Sequence, residues 1–280
     1  MVFSTVLRYV RLFFYYLYFL FLFNVIPIFA LLLYPICGAR RTYHGCINFI
    51  VHILLKSDIN LIGSRASEVE TFNGIILLSH KSHLDFLLGF VFGDACTLGR
   101  LLVAVACPFM FLCGILSKTL IVFNRASKKS RKIPLRERFA KALAQRGRLI
   151  IFPEGHRLPI RGTLSPLRTG SIAYAFDQDI PILVAPCEGA QTVMNYSLGK
   201  IRRNMPIVIN CKEVVNPADF AEIEEFIEYI EHLFKEGYSE ACNEFDSIVG
   251  KRYPEINIEQ IVNESKDHLD TAKLSKQKIH

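Results

Sequence analysis

A long apolar run near the N-terminus limits where this chain can reside. Residues 12–37 contain no charged side chain, and Asn24 is their one strongly polar residue. About 20 apolar residues are enough to cross the hydrocarbon core of a bilayer, whereas the apolar part of a cleaved signal peptide has about 7–15. The run therefore predicts a membrane element that stays attached to the protein.

Asn24 and Pro27 interrupt this run near its middle, and proline breaks or kinks a helix. Two arginines precede the run and two follow it, so the positive-inside rule assigns no orientation. A two-helix hairpin that enters one leaflet and returns fits this pattern, and a single spanning helix is the alternative. Residues 1–40 are therefore predicted to form a membrane helix or two-helix hairpin.

Beyond this element, short apolar runs alternate with longer segments. Continuous apolar strands that alternate with helices are typical of a largely parallel sheet covered on both faces. The predicted fold class is α/β, with a mostly parallel central sheet of about seven strands flanked by helices. The predicted strands are residues 60–62, 75–79, 101–106, 120–123, 149–152, 182–186 and 207–210.

Helical segments are predicted at residues 43–56, 135–145, 171–176 and 217–235. The last is the clearest, because Asn216 can cap it, Pro217 suits its first position and Gly237 lies just past its end. The apolar run 101–116 is short for a membrane span and indicates a buried strand followed by a packed helix. Residues 41–250 form the predicted globular domain, and residues 251–280 form a polar tail.

The charge of the chain is positive and unevenly distributed. The net charge is +7, and residues 118–168 contain 14 Lys or Arg against Glu137 and Glu154. Such a block favours phosphate ligands or an anionic membrane surface. Nucleic acid is not an expected partner, because zinc-finger spacing, an RNA-binding aromatic motif and a basic-region zipper are missing from the sequence. Eight cysteines without a Cys-x-x-Cys pair predict reduced thiols.

The segment 79–85, Ser-His-Lys-Ser-His-Leu-Asp, begins at the end of a predicted strand. The carboxyl ends of parallel strands are where open α/β sheets bind ligands. His80 and Asp85 are five residues apart and would not share one face of a helix. They can meet only if His80 lies in the turn and Asp85 in the first turn of the next helix. Asp85 would then hold one ring nitrogen and leave the other as a base.

Other uses of this segment remain open. His83 could be the base instead of His80. His80, His83 and Asp85 could bind a metal, although the zinc-protease spacings are absent. Ser82 could be a nucleophile, although it lacks the Gly-x-Ser-x-Gly turn.

Two further predicted strands also end in polar residues. Residues 152–157 read Phe-Pro-Glu-Gly-His-Arg, and residues 123–125 read Phe-Asn-Arg. A buried carboxylate beside an arginine is costly unless it binds something, so Glu154 and Arg157 are candidate site residues. A turn with a structural ion pair is the alternative.

The order His-x4-Asp, Phe-Asn-Arg and Phe-Pro-Glu-Gly-x-Arg resembles the glycerolipid acyltransferase family, typified by lysophosphatidic acid acyltransferase. The matching order and intervals extend over residues 72–189, less than half of the chain. An apolar N-terminal membrane element is also usual in that family. The resemblance implies a membrane-bound O-acyltransferase that moves a fatty acyl group from acyl-CoA to the free hydroxyl of lysophosphatidic acid, giving phosphatidic acid.

The resemblance also implies roles for individual residues. His80 would be the catalytic base, oriented by Asp85, in a direct transfer without a covalent enzyme intermediate. The thioester already activates the acyl group, so acyl-CoA is a co-substrate, and neither a metal nor a bound cofactor is expected. The residues expected to bind the acceptor are Arg125 and Arg157, for its phosphate, and Glu154 with Gly155, on the side of its hydroxyl.

Four departures from the family pattern surround these motifs. Ser79 stands where Asn is common, His156 where Thr is usual, and Val184 where Pro is expected, and the lysines common after the strand near Ala104 are missing. None removes the His-Asp pair, but head-group selectivity should reside in these surroundings. Another lysophospholipid or glycerol 3-phosphate is therefore an alternative acceptor. A non-catalytic lipid-binding membrane protein is the alternative of a different class.

The C-terminal residues 276–280, Lys-Gln-Lys-Ile-His, resemble a dilysine retrieval signal of endoplasmic-reticulum membrane proteins. For a eukaryotic source, the predicted location is the endoplasmic reticulum membrane, with the active site facing the cytosol.

Overall fold

The structure, a computed structural model, describes residues 2–93, 95–123 and 135–259, together with Ile261 and Asn263. In this part of the chain the α-helices are α1 (Val2–Leu20), α2 (Ile26–Cys37), α3 (Ala39–Asn48), α4 (Leu101–Ala106), α5 (Pro108–Leu116), α6 (Leu135–Arg146), α7 (Gly170–Asp177), α8 (Ala190–Val193) and α9 (Ile223–Arg252). The π-helical segments are Phe21–Val25 and Phe49–Leu54, and the 3₁₀ segments are Ala66–Glu68, Asp85–Phe92 and Pro217–Asp219. The strands are β1 (Ile59–Ile62), β2 (Gly74–Leu77), β3 (Cys96–Arg100), β4 (Leu120–Phe123), β5 (Arg148–Ile151), β6 (Ile182–Val184), β7 (Cys187–Glu188), β8 (Met194–Asn195), β9 (Lys200–Ile201), β10 (Ile207–Asn210) and β11 (Glu213–Val215).

A six-stranded sheet lies at the centre of the described residues, in the order β11-β6-β2-β5-β3-β4. All neighbours pair in parallel except β11, which runs antiparallel to β6 at one edge. The inner strands β6, β2 and β5 are short, mainly apolar runs, as expected for a parallel sheet buried on both faces. The prediction of an α/β fold with a mostly parallel sheet flanked by helices is confirmed.

Two hydrophobic clusters cover the opposite faces of this sheet, because successive side chains of a strand point to opposite sides. Ile76 and Ile150 belong to one cluster, which also contains buried residues of the N-terminal helices. Ile75 and Leu149 belong to the other, together with buried residues of α6, α7 and α9. The N-terminal helices are therefore part of the packing of the domain.

The predicted single sheet of about seven strands is divided in the structure. The strands predicted at 60–62 and 207–210 are present as β1 and β10, but they pair with each other, and β10 pairs with β7 in a separate three-stranded sheet. The two strands β8 and β9 form an antiparallel hairpin.

The strand predicted at residues 101–106 is wrong, since these residues form α4 and the adjoining strand is β3. Leu101 is 50% exposed and Val105 is 79% exposed. The run is therefore apolar without being buried in the sheet, and a short apolar run does not distinguish a helix from a strand. The packed helix predicted after it is present as α5.

The chain continues as one helix through Asn24 and Pro27, so it does not reverse at these residues. In the π-helical segment, the N–H of Ile26 bonds to the carbonyl of Phe21, five residues earlier. This wider turn precedes Pro27, which has no N–H to donate. The chain reverses instead at Gly38, with φ of +79°, and α3 returns along α2.

This N-terminal helix has two different apolar sides. Tyr15 and Phe23 are buried against the domain, whereas Leu32 is 67% exposed and Ile36 is 82% exposed. Its segment 6–37 has 32 residues and is long and apolar enough to cross a membrane. Such a helix extends about 48 Å, more than the roughly 30 Å of a hydrocarbon core.

Helix α9 begins later and ends later than the helix predicted at 217–235. Pro217 starts a 3₁₀ segment instead, and α9 passes through Gly237. A Cβ at Gly237 would lie 3.1 Å from Cγ of Pro186. This glycine therefore allows α9 to approach the chain beside β7, and it does not end the helix.

The predicted tail begins inside the last turn of α9, which extends to Arg252. Residues 264–280, with the predicted retrieval signal, lie outside the described residues.

A buried ionic network joins α9 to the strand β7. Glu188 is fully buried, and its oxygens receive hydrogen bonds from the hydroxyl of Tyr238 at 2.7 Å and the amide of Gln191 at 2.5 Å. Arg161 Nε lies 3.3 Å from Glu188 Oε1, and the same guanidinium pairs with Asp246 at 2.5 Å. Burial raises the pKa of Glu188, and the charge of Arg161 opposes this effect. Arg161 is thus the main group that compensates this carboxylate, with smaller contributions from Tyr238, Lys81 and Gln191.

We expect Arg161→Met to lower the free energy of unfolding by about 3–5 kcal/mol, because it leaves a buried carboxylate without its cation. Thermal unfolding in detergent, followed by circular dichroism, measures this change. Arg136→Met is the matched control, since its 2.7 Å pair with Asp177 lies at the surface and should cost less than about 1 kcal/mol. Equal losses in the two variants would contradict the buried-charge explanation.

Candidate active site

The two principal motifs follow neighbouring strands. Leu77, at the end of β2, lies opposite Ile151, at the end of β5, in a parallel pair. His80 and Glu154 each come three residues later, and the backbone N–H of His80 donates to Glu154 Oε1 at 2.8 Å. The sheet therefore brings together two segments that are more than 60 residues apart in sequence.

His80 and Asp85 meet as the sequence predicts. His80 lies in the turn after β2, and Asp85 is the first residue of the following 3₁₀ segment. Nδ1 of His80 lies 2.9 Å from Oδ2 of Asp85. With Nδ1–H donating to the carboxylate, the lone pair of the neutral ring resides on Nε2. The His80 side chain is 22% exposed, so the ring is accessible to a substrate.

The carboxylate of Asp85 is held by three donors on one oxygen. Besides His80, the backbone N–H groups of Lys81 and Ser82 donate to Oδ2 at 2.5 Å and 2.8 Å. The side chain is fully buried. A buried carboxylate with charge-stabilising hydrogen bonds remains an acceptor and can stabilise a positive imidazolium beside it.

The His80 ring is also fixed from the side. It stacks on Phe152 with ring centroids 4.4 Å apart and planes at 20°. The carbonyl of His80 accepts a hydrogen bond from the N–H of Leu158 at 2.9 Å. Both contacts come from the segment after β5, so the second motif positions the first.

Glu154 directs its oxygens to the protein backbone. Oε1 accepts from His80, and Oε2 accepts from the N–H of Ser165 at 3.1 Å. The ammonium of Lys81 lies 3.8 Å from Oε2, and both side chains are fully buried. Lys81 also donates to the carbonyl of Thr163. This geometry describes a residue that holds the loops in place, whereas the resemblance implies contact with the acceptor.

Gly155 occupies a position that other residues would strain. Its φ is +69°, and a Cβ there would lie 2.4 Å from Nε of Arg168. Its N–H donates to the carbonyl of Phe152 at 3.0 Å and closes the turn. Glycine therefore sets the path of the chain between Glu154 and Arg157.

Arg157 lies on the ring of Tyr196, with its guanidinium carbon 5.2 Å from the ring centroid. The hydroxyl of Tyr196 donates to the backbone carbonyl of Arg157 at 3.1 Å. The arginine is partly exposed and is therefore available to an anion. Arg125, the other predicted phosphate-binding residue, lies outside the described residues. β4, the strand before Arg125, ends at the same edge of the sheet as β2 and β5. The participation of Arg125 in the site stays a prediction.

The alternative uses of residues 80–85 have weaker geometry. Burial, together with the charges of Arg157 and His80, lowers the pKa of His83 to about 3, which makes it a poor proton acceptor. The hydroxyl of Ser82 is buried and donates to the carbonyl of Met194 at 2.9 Å. Within the described residues, no group of three or more His, Cys, Asp or Glu side chains could hold a metal ion.

Sequence reasoning missed two residues of the site, Tyr15 and Lys81. The hydroxyl of Tyr15, on α1, lies 3.0 Å from Nδ1 of His83. Tyr15 also lines an open apolar groove of about 920 Å³ between α1 and the β8–β9 hairpin. Nothing in the sequence separates Tyr15 from the other aromatic residues of its helix, because the choice depends on which side packs on the domain.

The presence of Ser79 where Asn is common in the family pattern has a structural explanation. Its buried hydroxyl donates to the carbonyl of Cys187 and accepts from the N–H of the same residue, both at 2.7 Å. The serine thus ties the end of β2 to β7. Within the described residues, His156 contacts Ser165 at 3.2 Å through its ring nitrogen.

The site consists of a His-Asp pair at the ends of the strands of a parallel α/β sheet, and comparisons with known proteins show what this arrangement resembles. Residues 62–187 match the protein-family model described as Acyltransferase. The crystal structure of the 1-acyl-sn-glycerophosphate (LPA) acyltransferase PlsC from Thermotoga maritima superimposes with a TM-score of 0.63 and 18% sequence identity, covering 84% of this chain and 96% of that chain. No curated protein matches the chain significantly in sequence.

Residues 62–187 therefore resemble an acyltransferase domain, and the chain shares the fold of the solved LPA acyltransferase. The family match contains the His80–Asp85 pair and the segment 152–157.

We expect Gly155→Ala to reduce acyl transfer at least tenfold, since the added Cβ must displace the side chain of Arg168 at the turn between Glu154 and Arg157. Initial rates of acyl transfer measure the effect. Gly162→Ala is the matched control: Gly162 has a φ of +68° but nothing within 4 Å of the added Cβ. Both variants carry backbone strain of about 1–2 kcal/mol, so equal rates in the two would show that the contact with Arg168 is unimportant.

Proposed function

We propose that this protein is a membrane-bound O-acyltransferase that moves a fatty acyl group from acyl-CoA to the free hydroxyl of lysophosphatidic acid, forming phosphatidic acid. The observation that carries the proposal is the 2.9 Å contact between His80 and the buried Asp85, within an acyltransferase domain. The structural likeness to a solved LPA acyltransferase supports the choice of acceptor.

In the proposed reaction, Nε2 of His80 accepts the proton of the acceptor hydroxyl as its oxygen attacks the thioester carbonyl. The C–S bond then breaks, and the imidazolium returns the proton to the departing thiolate of coenzyme A. Asp85 stabilises the imidazolium between these steps. A hydroxyl is a poor nucleophile at neutral pH, and a positioned base typically contributes about 10²–10⁴-fold to the rate.

The acceptor phosphate is assigned to Arg157, with Arg125 as its predicted partner. Guanidinium groups present parallel N–H donors that match phosphate oxygens. Arg157 is already oriented by Tyr196, so little conformational freedom is lost on binding. Glu154 and Lys81 serve as positioning residues behind His80.

We further propose that the outer apolar surface lies in the membrane and that acyl-CoA reaches the site from the aqueous side. Exposed apolar side chains occur on the N-terminal helix and again on α4 and α5. Contiguous exposed apolar surface of this kind marks membrane or protein contact. For a eukaryotic source, the proposed location is the endoplasmic reticulum membrane, with the site on its cytosolic side. Representative exposed residues are Phe13, Leu17, Leu32, Ile36, Leu101, Val105 and Leu112.

Another phosphate-bearing acceptor, a different lysophospholipid or glycerol 3-phosphate, is the second candidate, because Arg157 would bind its phosphate equally. A non-catalytic lipid-binding membrane protein is the alternative of a different class. The three-donor environment of Asp85 favours catalysis, since lipid binding alone does not require an oriented histidine.

We expect His80→Ala to reduce turnover about 10²–10⁴-fold, because the proton acceptor is lost, while binding of lysophosphatidic acid persists. Asp85→Asn should reduce turnover as well, since an amide does not stabilise the imidazolium. Purified membranes with labelled oleoyl-CoA and lysophosphatidic acid provide the assay. His232→Ala, an exposed histidine on α9, is the control and should match the native rate.

The same assay distinguishes the alternatives by their acceptors. His80-dependent turnover of glycerol 3-phosphate or lysophosphatidylcholine, with none of lysophosphatidic acid, would move the assignment to that acceptor. Lack of any His80-dependent product with acyl-CoA or acyl carrier protein donors would leave only the lipid-binding role.

We expect the pair Leu32→Lys and Ile36→Lys to weaken membrane attachment, because two exposed apolar side chains would become charged. Fractionation of cells into membrane and soluble material at high salt measures the shift. Tyr229→Lys, at a 38% exposed position on α9, is the control and should remain in the membrane fraction. Retention of the double variant at the native level would place the membrane contact elsewhere.

A further inference from the structure

The turn that carries His80 also carries a second histidine, which is held by the N-terminal helix. Tyr15 is 1% exposed, and its hydroxyl lies 3.0 Å from Nδ1 of His83. Among the described residues, this is the one hydrogen bond of the His83 side chain. Nε2 is thus left for another partner, and the side chain is partly exposed.

His83 and Arg157 share one aromatic neighbour. The His83 ring packs edge-on to Tyr196 with centroids 5.0 Å apart, and the guanidinium of Arg157 lies 5.2 Å from the same centroid. Phe19 of the N-terminal helix covers His83 at 4.8 Å. His83 therefore lies beside the arginine assigned to the acceptor phosphate.

The protonation state of His83 follows from these neighbours. Apolar burial and the positive charge of Arg157 lower its pKa to about 3, so the ring is neutral at physiological pH. A neutral imidazole has one N–H. When the hydroxyl of Tyr15 donates to Nδ1, that N–H must be on Nε2.

We propose that His83, held in this tautomer by Tyr15, donates its Nε2–H to a phosphate oxygen of the acceptor beside Arg157. His83 is then a specificity-determining residue for phosphate-bearing acceptors, and Tyr15 is a positioning residue supplied by the membrane helix. The inference rests on the proposed function. It gives the N-terminal helix a part in acceptor recognition, exerted through His83, in addition to the proposed membrane attachment.

Two isosteric substitutions separate the two nitrogens of His83. His83→Asn keeps an acceptor near the position of Nδ1 and lacks the donor at Nε2, whereas His83→Gln places an amide N–H near Nε2. We expect His83→Asn to raise the KM for lysophosphatidic acid about tenfold or more, as for a lost hydrogen bond to a charged group. Its kcat should stay within about threefold of native. His83→Gln should restore most of the affinity.

Tyr15→Phe provides an independent test of the tautomer. It removes the hydroxyl donor while keeping the ring that packs on the domain, so both tautomers of His83 become accessible. We expect Tyr15→Phe to raise the KM for lysophosphatidic acid to a value between those of the native protein and His83→Asn. The double variant should have the same KM as His83→Asn alone. Thermal unfolding of each variant shows that the fold is retained.

Varying each substrate in turn shows whether the phosphate that His83 contacts belongs to the acceptor or to coenzyme A. Selectivity for lysophosphatidic acid over monooleoylglycerol, which has no phosphate, should fall in His83→Asn, while the KM for oleoyl-CoA stays unchanged. A rise in the KM for oleoyl-CoA alone would assign His83 to a coenzyme A phosphate and overturn the proposal.

Two other results would also overturn it. Equal loss of kcat in the Asn and Gln variants, with unchanged KM, would show a purely structural role. An unchanged KM for lysophosphatidic acid in His83→Asn would show that His83 does not contact the acceptor. Absence of lysophosphatidic acid turnover in the native protein would instead refute the proposed function itself.

Discussion

The proposed active site depends on the hydrogen bonds that hold one buried carboxylate. Asp85 has no exposed surface, and an unpaired carboxylate in such a place would be protonated or would destabilise the fold. Two backbone N–H groups and the imidazole of His80 converge on a single oxygen. These donors require the tight turn between β2 and the 3₁₀ segment, and Glu154 stabilises that turn from the next strand. The conformation of this turn and the contact between His80 and Asp85 therefore depend on each other.

Much of this arrangement could be predicted from sequence, because each motif directly follows a short apolar strand, and parallel neighbours end at one edge. The spacing of His80 and Asp85 allowed them to meet only across a turn, and the resemblance to the glycerolipid acyltransferases implied that they do. Tyr15 and Lys81 could not be found in this way, since their contacts come from packing between distant segments. Residues 101–106 were misassigned because an outward-facing apolar helix has the composition of a buried strand. Gly237 was read as a helix end, whereas it serves the close approach of α9 to Pro186.

The N-terminal helix combines two kinds of apolar surface on one element. Tyr15 and Phe23 pack on the domain, and Leu32 and Ile36 face outward. A single apolar run cannot reveal this division, because both sides use the same residue types. The π-helical segment before Pro27 keeps the helix continuous, so its outward-facing apolar residues and the residues that pack beside His83 belong to one element.

The pairing of Leu77 with Ile151 has a consequence for how this chain can change length. The sheet fixes where the loops after β2 and β5 begin. The segment between these two loops can therefore lengthen or shorten at its surface turns without moving His80 or Glu154. A change of length within either loop would move its motif. One residue inserted between Leu77 and His80 would shift the histidine by up to about 3.6 Å, more than the length of its bond to Asp85. The connections of this scaffold can therefore vary in length, whereas the two short loops tolerate no insertion that leaves the His80–Asp85 contact in place.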